Sequence, residues 1–237
     1  MLERYRVKVG PYVERLSRPF ARWSPNALSW VAFSFSGAAA LAFASLRLFE
    51  SPRAVAQGLG RGFSPIPDLL FFAALFVFLG GVFDALDGYV ARKQGTASPS
   101  GDFLDHVLDR YADVVVLLGV AVSGWADPVL VLLALVSLLL VSYMGTQAQA
   151  VGMARLYRGL LSRADRLVLL TCAALLLSGL SAWDLLGLVS SSRIPLEFTV
   201  GGLTLSWLDL VLLYFVIAGQ FTAIMRGRQT WRELKGG

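Results

Sequence analysis

The sequence predicts an all-α integral membrane protein, with six transmembrane helices behind an N-terminal amphipathic interfacial helix. Three observations carry that expectation. Of the 237 residues, 56% are hydrophobic and only 16% charged. Apolar runs recur at roughly 26–48, 67–92, 103–123, 128–151, 166–190 and 204–225, each close to the about 20 residues that an α-helix needs to cross the hydrocarbon core. The runs lack the polar/apolar alternation of barrel strands, and in lipid each segment must satisfy its own backbone, so helices are expected.

Taken in order, residues 1–23 place Leu2, Tyr5, Val9, Tyr12, Leu16, Phe20 and Trp23 at spacings of three and four, with Arg and Glu between them. That is the pattern of a helix lying on a membrane surface. Pro11 and Pro19 are expected to kink or split it, and its role is open between a platform for lipid entry and a simple anchor. No uninterrupted apolar region follows a basic start, so no cleavable signal peptide is expected and the first span is expected to target the chain. The longest link, about 49–66, carries Gly58, Gly60, Gly62 and Pro65 and has the composition of a loop. Arg193 to Trp207 consists of two alternating runs about Gly201-Gly202, a β-hairpin signal capping the link between the fifth and sixth spans. Cys172 is the one cysteine, so no intrachain disulfide can form; within the fifth span it is expected to be a small packing residue. Without internal repeats, residues 1–237 form one domain: the surface helix, the bundle over 26–225 and a tail over 226–237.

The cations set an orientation. Residues 1–24 hold six, the link after the second span holds Arg92 and Lys93, the link after the fourth holds Arg155, Arg158, Arg163 and Arg166, and the tail holds Arg226, Arg228, Arg232 and Lys235. The opposite links hold only Arg47, Arg53, Arg61 and Arg193. By the positive-inside rule this predicts a multi-pass protein of the cell membrane with both termini cytoplasmic.

On that same side lies FDALDGYVARKQGTASPSGDFLDHVLDRYAD, Phe83 to Asp113. Asp84, Asp87, Gly88 and Ala91 share one face at the end of the second span, and Gly101, Asp105 and Asp109 share one face at the start of the third. The link between them contains Gly95 and Pro99, so the helices return antiparallel and their acidic faces meet. Four carboxylates so close repel, and an intramembrane carboxylate costs up to about 2.5–3.5 kcal/mol, so a positive partner is required. With no nearby Cys and only His106, an all-oxygen site suits magnesium, manganese or calcium better than zinc. Two metals held this way can bind phosphoryl oxygens and stabilise an in-line displacement. Gly88, Ala91 and Gly101 remove side-chain bulk, and Arg92 offers a fork to a diphosphate. His106 falls one position off the acidic face, which suits packing or an outer hydrogen bond, and Arg110 with Asp113 form an i,i+3 pair.

The spacing Asp84-x2-Asp87-Gly88-x2-Ala91-Arg92-x8-Gly101-x3-Asp105-x3-Asp109 resembles, at every position, the signature of the CDP-alcohol phosphotransferases. The six spans and the N-terminal helix extend the resemblance over essentially the whole chain. It implies a two-metal centre of magnesium or manganese on Asp84, Asp87 and Asp105, with Asp109 as general base and further metal contact. It also implies that Gly88, Ala91, Arg92 and Gly101 receive the cytidine diphosphate. Pro25-Asn26 resembles the family's S-P-N-x-L-[ST] element near the nucleotide, which adds Asn26. The implied reaction joins an alcohol hydroxyl to the β-phosphorus of a CDP-linked lipid and releases CMP. The implied partners are that lipid, a small polar alcohol and a second copy in a homodimer, with no nucleic acid.

The acceptor is less determined. Ser142 to Gly152, followed by Arg163-Ala164-Asp165-Arg166, is similar to a pattern of the phosphatidylinositol-phosphate and archaetidylinositol-phosphate synthases, but Gly145 and Gln147 stand where that pattern has cations. Either Arg155, Arg158, Arg163 and Arg166 on the adjoining loop grip an acceptor phosphate, with Gln147 beside them, or the acceptor is another alcohol such as glycerol phosphate or serine. The segment resembles archaeal sequences, which implies CDP-archaeol as the donor; CDP-diacylglycerol is the alternative. Outside enzymes, a cation transporter also places Asp residues in spans, but it predicts inverted repeats that the sequence lacks.

Overall fold

A computed structural model describes residues 6–49, 65–154, 156, 159–185, 197–200 and 203–236. Its helices are α1 (Arg6–Ser17), α2 (Pro25–Ser45), α3 (Ile66–Gln94), α4 (Pro99–Val122), α5 (Pro128–Ala150), α6 (Arg163–Leu185) and α7 (Trp207–Gly236). Strands β1 (Glu197–Val200) and β2 (Leu203–Ser206) precede α7.

Local chemistry starts these helices where they start. Ser24, Ser98 and Asp127 are N-caps, each followed by a proline whose missing N–H costs nothing in a first turn. Ser24 Oγ accepts from Ala27 N at 3.2 Å, Ser98 Oγ from Gly101 N at 3.2 Å, and Asp127 Oδ1 from Val129 N at 2.8 Å. At α6 the cap is reciprocal: Asp165 Oδ2 accepts from Ser162 N at 3.0 Å, and Ser162 Oγ accepts from Asp165 N at 3.2 Å. α3 stops at Gly95, whose φ of 68° is left-handed, and Thr96 N closes the turn on Ala91 O at 3.0 Å.

Five helical stretches are long and apolar enough to cross a membrane: Pro25–Leu48, Ile66–Gln94, Pro128–Ala150, Arg163–Trp183 and Trp207–Gly236. α4 is as long, but Asp102, Asp105, Asp109, Arg110 and Asp113 keep it from reading as an apolar span, so among the described residues five of the six expected spans stand out by length and composition. The protein is a multi-pass membrane protein. Large apolar side chains point outward, Leu41 (70% exposed) and Ile217 (62% exposed) among them, as lipid-facing residues do. Small residues face inward. A Cβ on Gly119 would lie 2.5 Å from Ala40 O, so α4 and α2 approach at backbone distance.

α2 packs on α3 and α4, α3 packs on α6, and α5 packs on α7. Phe43, Leu70, Trp125, Leu177, Leu212 and Phe215 anchor the main core. A smaller cluster of Leu28, Leu86 and Val90 lies under Val13 and Phe20, which seats the end of α1 and the turn Arg18–Phe20 against α3. Gln94 Nε2 donates to Ala21 O at 2.9 Å and to Trp23 O at 3.0 Å, which fixes the entry to α2.

Other sequence expectations meet specific outcomes. Pro11 lies inside α1 and Pro19 in the short 3-10 turn, so the N-terminal segment is split; residues 1–5 lie outside the described residues. Tyr12, Leu16 and Trp23 are exposed. The hairpin forms with Val200 paired to Leu203, although Gly201-Gly202 lie outside the described residues. The expected tail over 226–237 continues α7 as helix to Gly236, at 30 residues longer than the apolar core needs. No proline interrupts it there, and Arg226 Nη1 donates to Val141 O on α5 at 2.7 Å.

Candidate metal and active site

Four helix ends meet at the α1 side of the bundle: the start of α2, the end of α3 and the starts of α4 and α6. The turn at Gly95 sends α4 back along α3, so the acidic faces oppose each other. Asp84, Asp87 and Asp105 each offer a carboxylate oxygen within 4.8 Å of the other two. Asp105, His106 and Asp109 form a second such group. Asp87 and Asp109 are buried, at 5% and 8% exposure, while Asp84 and Asp105 are half-buried. The donors are oxygens apart from His106, which fits a hard divalent cation.

Ser29 escaped the sequence reading. Its Oγ donates to Asp87 Oδ2 at 2.6 Å, linking α2 to α3 across 58 positions. A signal existed: Ser29 is three residues beyond Asn26 and shares its helix face. Asn26 in turn lies beside Gly101, where an added Cβ would sit 3.7 Å from Asn26 Oδ1. Two nucleotide candidates from separate parts of the sequence are therefore neighbours. On α3, Arg92 folds its guanidinium over Gly88, and an added Cβ there would come within 3.2 Å of Nη1. Arg92 is exposed, and Ala91 is half-buried.

The arginines expected on a loop are placed differently. Arg163 is the first residue of α6 and Arg166 lies one turn on, so both point from a capped helix start toward α3 and α4. Arg163 Nη1 forms ion pairs with Asp84 Oδ1 and Asp109 Oδ1. Arg166 Nη1 donates to Asp113 Oδ2 at 2.7 Å and is only 8% exposed. The expected Arg110–Asp113 pair is present at 3.5 Å, and Arg110 also lies 3.7 Å from Asp109. Arg155 and Arg158 lie outside the described residues. Gly145 is buried, and Gln147 is exposed near the end of α5. His106 stands beside the cluster, 3.6 Å from Asp102 and 3.7 Å from Asp105.

A small cavity opens among these groups, lined by Ser29, Asp84, Asp105, Asp109 and Arg163. A carboxylate-lined hollow at the ends of membrane helices can hold divalent metal, and metal can hold phosphoryl oxygens. The family model described as CDP-alcohol phosphatidyltransferase matches residues 23–196, the stretch that builds this site. The chain belongs to the CDP-alcohol phosphatidyltransferase family.

Among similar family members, the archaetidylinositol phosphate synthase of Methanothermobacter thermautotrophicus is 29% identical over 167 residues, 70% of this chain and 73% of that one. The phosphatidylinositol phosphate synthase of Mycolicibacterium smegmatis is 32% identical over 167 residues, 68% of each chain. The fold is shared with the Mycobacterium tuberculosis phosphatidylinositol phosphate synthase solved with CDP-DAG bound (TM-score 0.61, 22% identity, 92% of this chain and 94% of that one). The same enzyme in complex with manganese and citrate has a TM-score of 0.61 and 23% identity over 91% of this chain and 88% of that one.

Proposed function

We propose that this family member transfers a lipid-phosphate group from a CDP-linked lipid to a hydroxyl of inositol phosphate, releasing CMP. The observation that carries the reading is the convergence of Asp84, Asp105 and Asp109, from two helices, on one cavity, with Asp87 offering an oxygen within 4.8 Å of those of Asp84 and Asp105. Similar chains named for archaetidylinositol phosphate and for phosphatidylinositol phosphate share the inositol phosphate product and differ in the lipid. The donor is accordingly the CDP-lipid of the host membrane, CDP-archaeol or CDP-diacylglycerol.

Asp84, Asp87 and Asp105 would hold magnesium or manganese, which, when bound, offsets charge on the phosphoryl oxygens. The chain's own residues do the rest. Asn26, Gly88, Ala91, Arg92 and Gly101 receive the cytidine diphosphate, with Arg92 as the fork for its phosphates. Ser29 orients Asp87. Asp109 takes the proton of the acceptor hydroxyl as its oxygen bonds to the β-phosphorus, and the bond from that phosphorus to the CMP oxygen breaks. Arg163 and Arg166 form the side from which the acceptor phosphate approaches, and Arg155, Arg158 and Gln147 are the further candidates to grip it.

The same reading makes α4 a sixth span whose charged face is sheltered in the bundle, with residues 1–237 as one domain. It sets both chain ends and the site on the cytoplasmic face, lays residues 1–23 in the interface and pairs two copies as a homodimer. The test is CMP release from CDP-diacylglycerol and CDP-archaeol, with magnesium or EDTA, for inositol phosphate, glycerol phosphate and serine in turn. CMP that appears with inositol phosphate and magnesium, and disappears in EDTA, is the expected result. Turnover in EDTA sinks the metal assignment, and turnover with serine alone sinks the acceptor.

A further inference from the structure

Arg163 comes from an element 79 residues away from Asp84, yet it supplies the positive charge at the centre of the acidic cluster. One nitrogen, Nη1, pairs with Asp84 on α3 and with Asp109 on α4 at once. The contact is not a chance of a loose side chain. The reciprocal Ser162–Asp165 cap fixes the start of α6, and Arg166, one turn on, is held by Asp113 at 2.7 Å. Asp84 also belongs to the group of three carboxylates whose oxygens lie within 4.8 Å of one another. A guanidinium and a divalent cation are thus directed at the same carboxylate. Both would need the oxygens of Asp84, and two cations that close repel.

We propose that Arg163 is a built-in counter-ion that competes with the divalent metal for Asp84, and that metal loading displaces its guanidinium from Asp84 and with it from Asp109. The proposal rests on the reading of the acidic cluster as a metal site. In the metal-free protein the guanidinium keeps buried carboxylates from facing one another unpaired, a situation that destabilises folded proteins strongly. The displaced group keeps another carboxylate in reach: a small adjoining hollow is lined by Arg163 with Asp113 and Arg166, among apolar side chains such as Leu117, Leu167 and Phe215. Metal occupancy and the position of a cation beside the phosphate-transfer site are then two sides of one equilibrium.

The test is a titration of the purified full chain with Mn²⁺, read by the loss of the free-ion paramagnetic resonance signal, for wild type, Arg163→Gln, Arg163→Lys and Asp84→Asn. Two charge-assisted contacts are lost in Arg163→Gln, so its Mn²⁺ affinity rises on the order of tenfold. Lys lacks the planar fork, and Arg163→Lys lies between Gln and wild type. The rise in melting temperature from EDTA to saturating Mn²⁺ is larger for Arg163→Gln than for wild type. Unchanged or weaker Mn²⁺ binding in Arg163→Gln overturns the proposal; should that variant not survive in EDTA, an Arg163→Lys affinity equal to wild type overturns it equally. Asp84→Asn separates the two failures, since Mn²⁺ binding that ignores this change defeats the metal site itself, whereas binding lost in Asp84→Asn but untouched by Arg163→Gln defeats only the competition.

Discussion

The two ends of the bundle handle buried aspartate in opposite ways. At the end away from α1, Asp209 is 4% exposed, and its two oxygens accept from backbone: Oδ1 from Asp127 N at 2.7 Å and Oδ2 from Ser206 N at 2.8 Å. Asp127 caps α5 through Val129 N and Leu130 N, and Ser206 Oγ donates to Trp125 O at 2.8 Å. Asp127 and Asp209 thus each complete a helix start. At the α1 end, Asp84, Asp87, Asp105 and Asp109 face one another across two helices, and their cross-helix partners are the Ser29 hydroxyl and the Arg163 guanidinium. Carboxylates closed by backbone N–H groups stabilise a fold, whereas carboxylates that converge on a cavity leave oxygens for a ligand.

The largest expected effect breaks the functional end alone. Asp109→Asn removes the proposed base, and CMP release is expected to fall by about 10²–10⁴, while Mn²⁺ binding persists. Asp84→Asn and Asp105→Asn lose metal and nucleotide affinity together. Calorimetry in which Asp109→Asn loses metal as completely as Asp84→Asn makes Asp109 primarily a ligand.

Next in size is Ser29→Ala. The hydroxyl holds Asp87 through one 2.6 Å bond, and removing such a supporting bond lowers metal affinity by about 10–100-fold. The melting temperature in EDTA should move little, because Asp87 remains among its neighbours. A large loss of stability without a change in metal affinity would make Ser29 a packing residue.

The opposite end reverses the pattern. Asp209→Ala leaves two backbone N–H groups, of Asp127 and Ser206, without their carboxylate partner. Stability falls by about 1–3 kcal/mol per buried donor left unpaired, read as a lower melting temperature in detergent, while kcat of the surviving folded protein is unchanged. A specific loss of turnover at equal folded fraction would show that the far network reaches the site.

The contrast also marks what the sequence could say. The four site carboxylates were legible because i, i+3 and i+4 spacing fixes a helix face, and Gly95 with Pro99 fixes the return. Ser29 and Arg163 act across 58 and 79 positions, and no local periodicity reports which distant helix a side chain meets. Arg163 and Arg166 read as loop residues in the sequence because their charge obscures a helix start that the Ser162–Asp165 cap creates. The helical form of residues 226–236 and the charged face of α4 are not legible from composition: charge predicts solvent, but a helix carries charge wherever another helix or the interface accepts it.

The smallest effect tests whether a cap can serve both purposes. Ser98 closes the start of α4 by accepting from Gly101 N at 3.2 Å, as Asp127 closes α5, but Gly101 is also a residue proposed to receive the nucleotide. An N-cap is worth about 1 kcal/mol, so Ser98→Ala should lower stability by about that amount, as removal of a cap at the far end would. Fraying of the first turn also loosens Gly101 beside Asn26, four residues before Asp105. The Michaelis constant for the CDP-lipid should therefore rise several-fold, with kcat nearly kept, because the reacting groups on later turns stay in register. A change in stability with no change in that constant would reduce Ser98 to a cap like Asp127, and would remove Gly101 from the nucleotide's contacts.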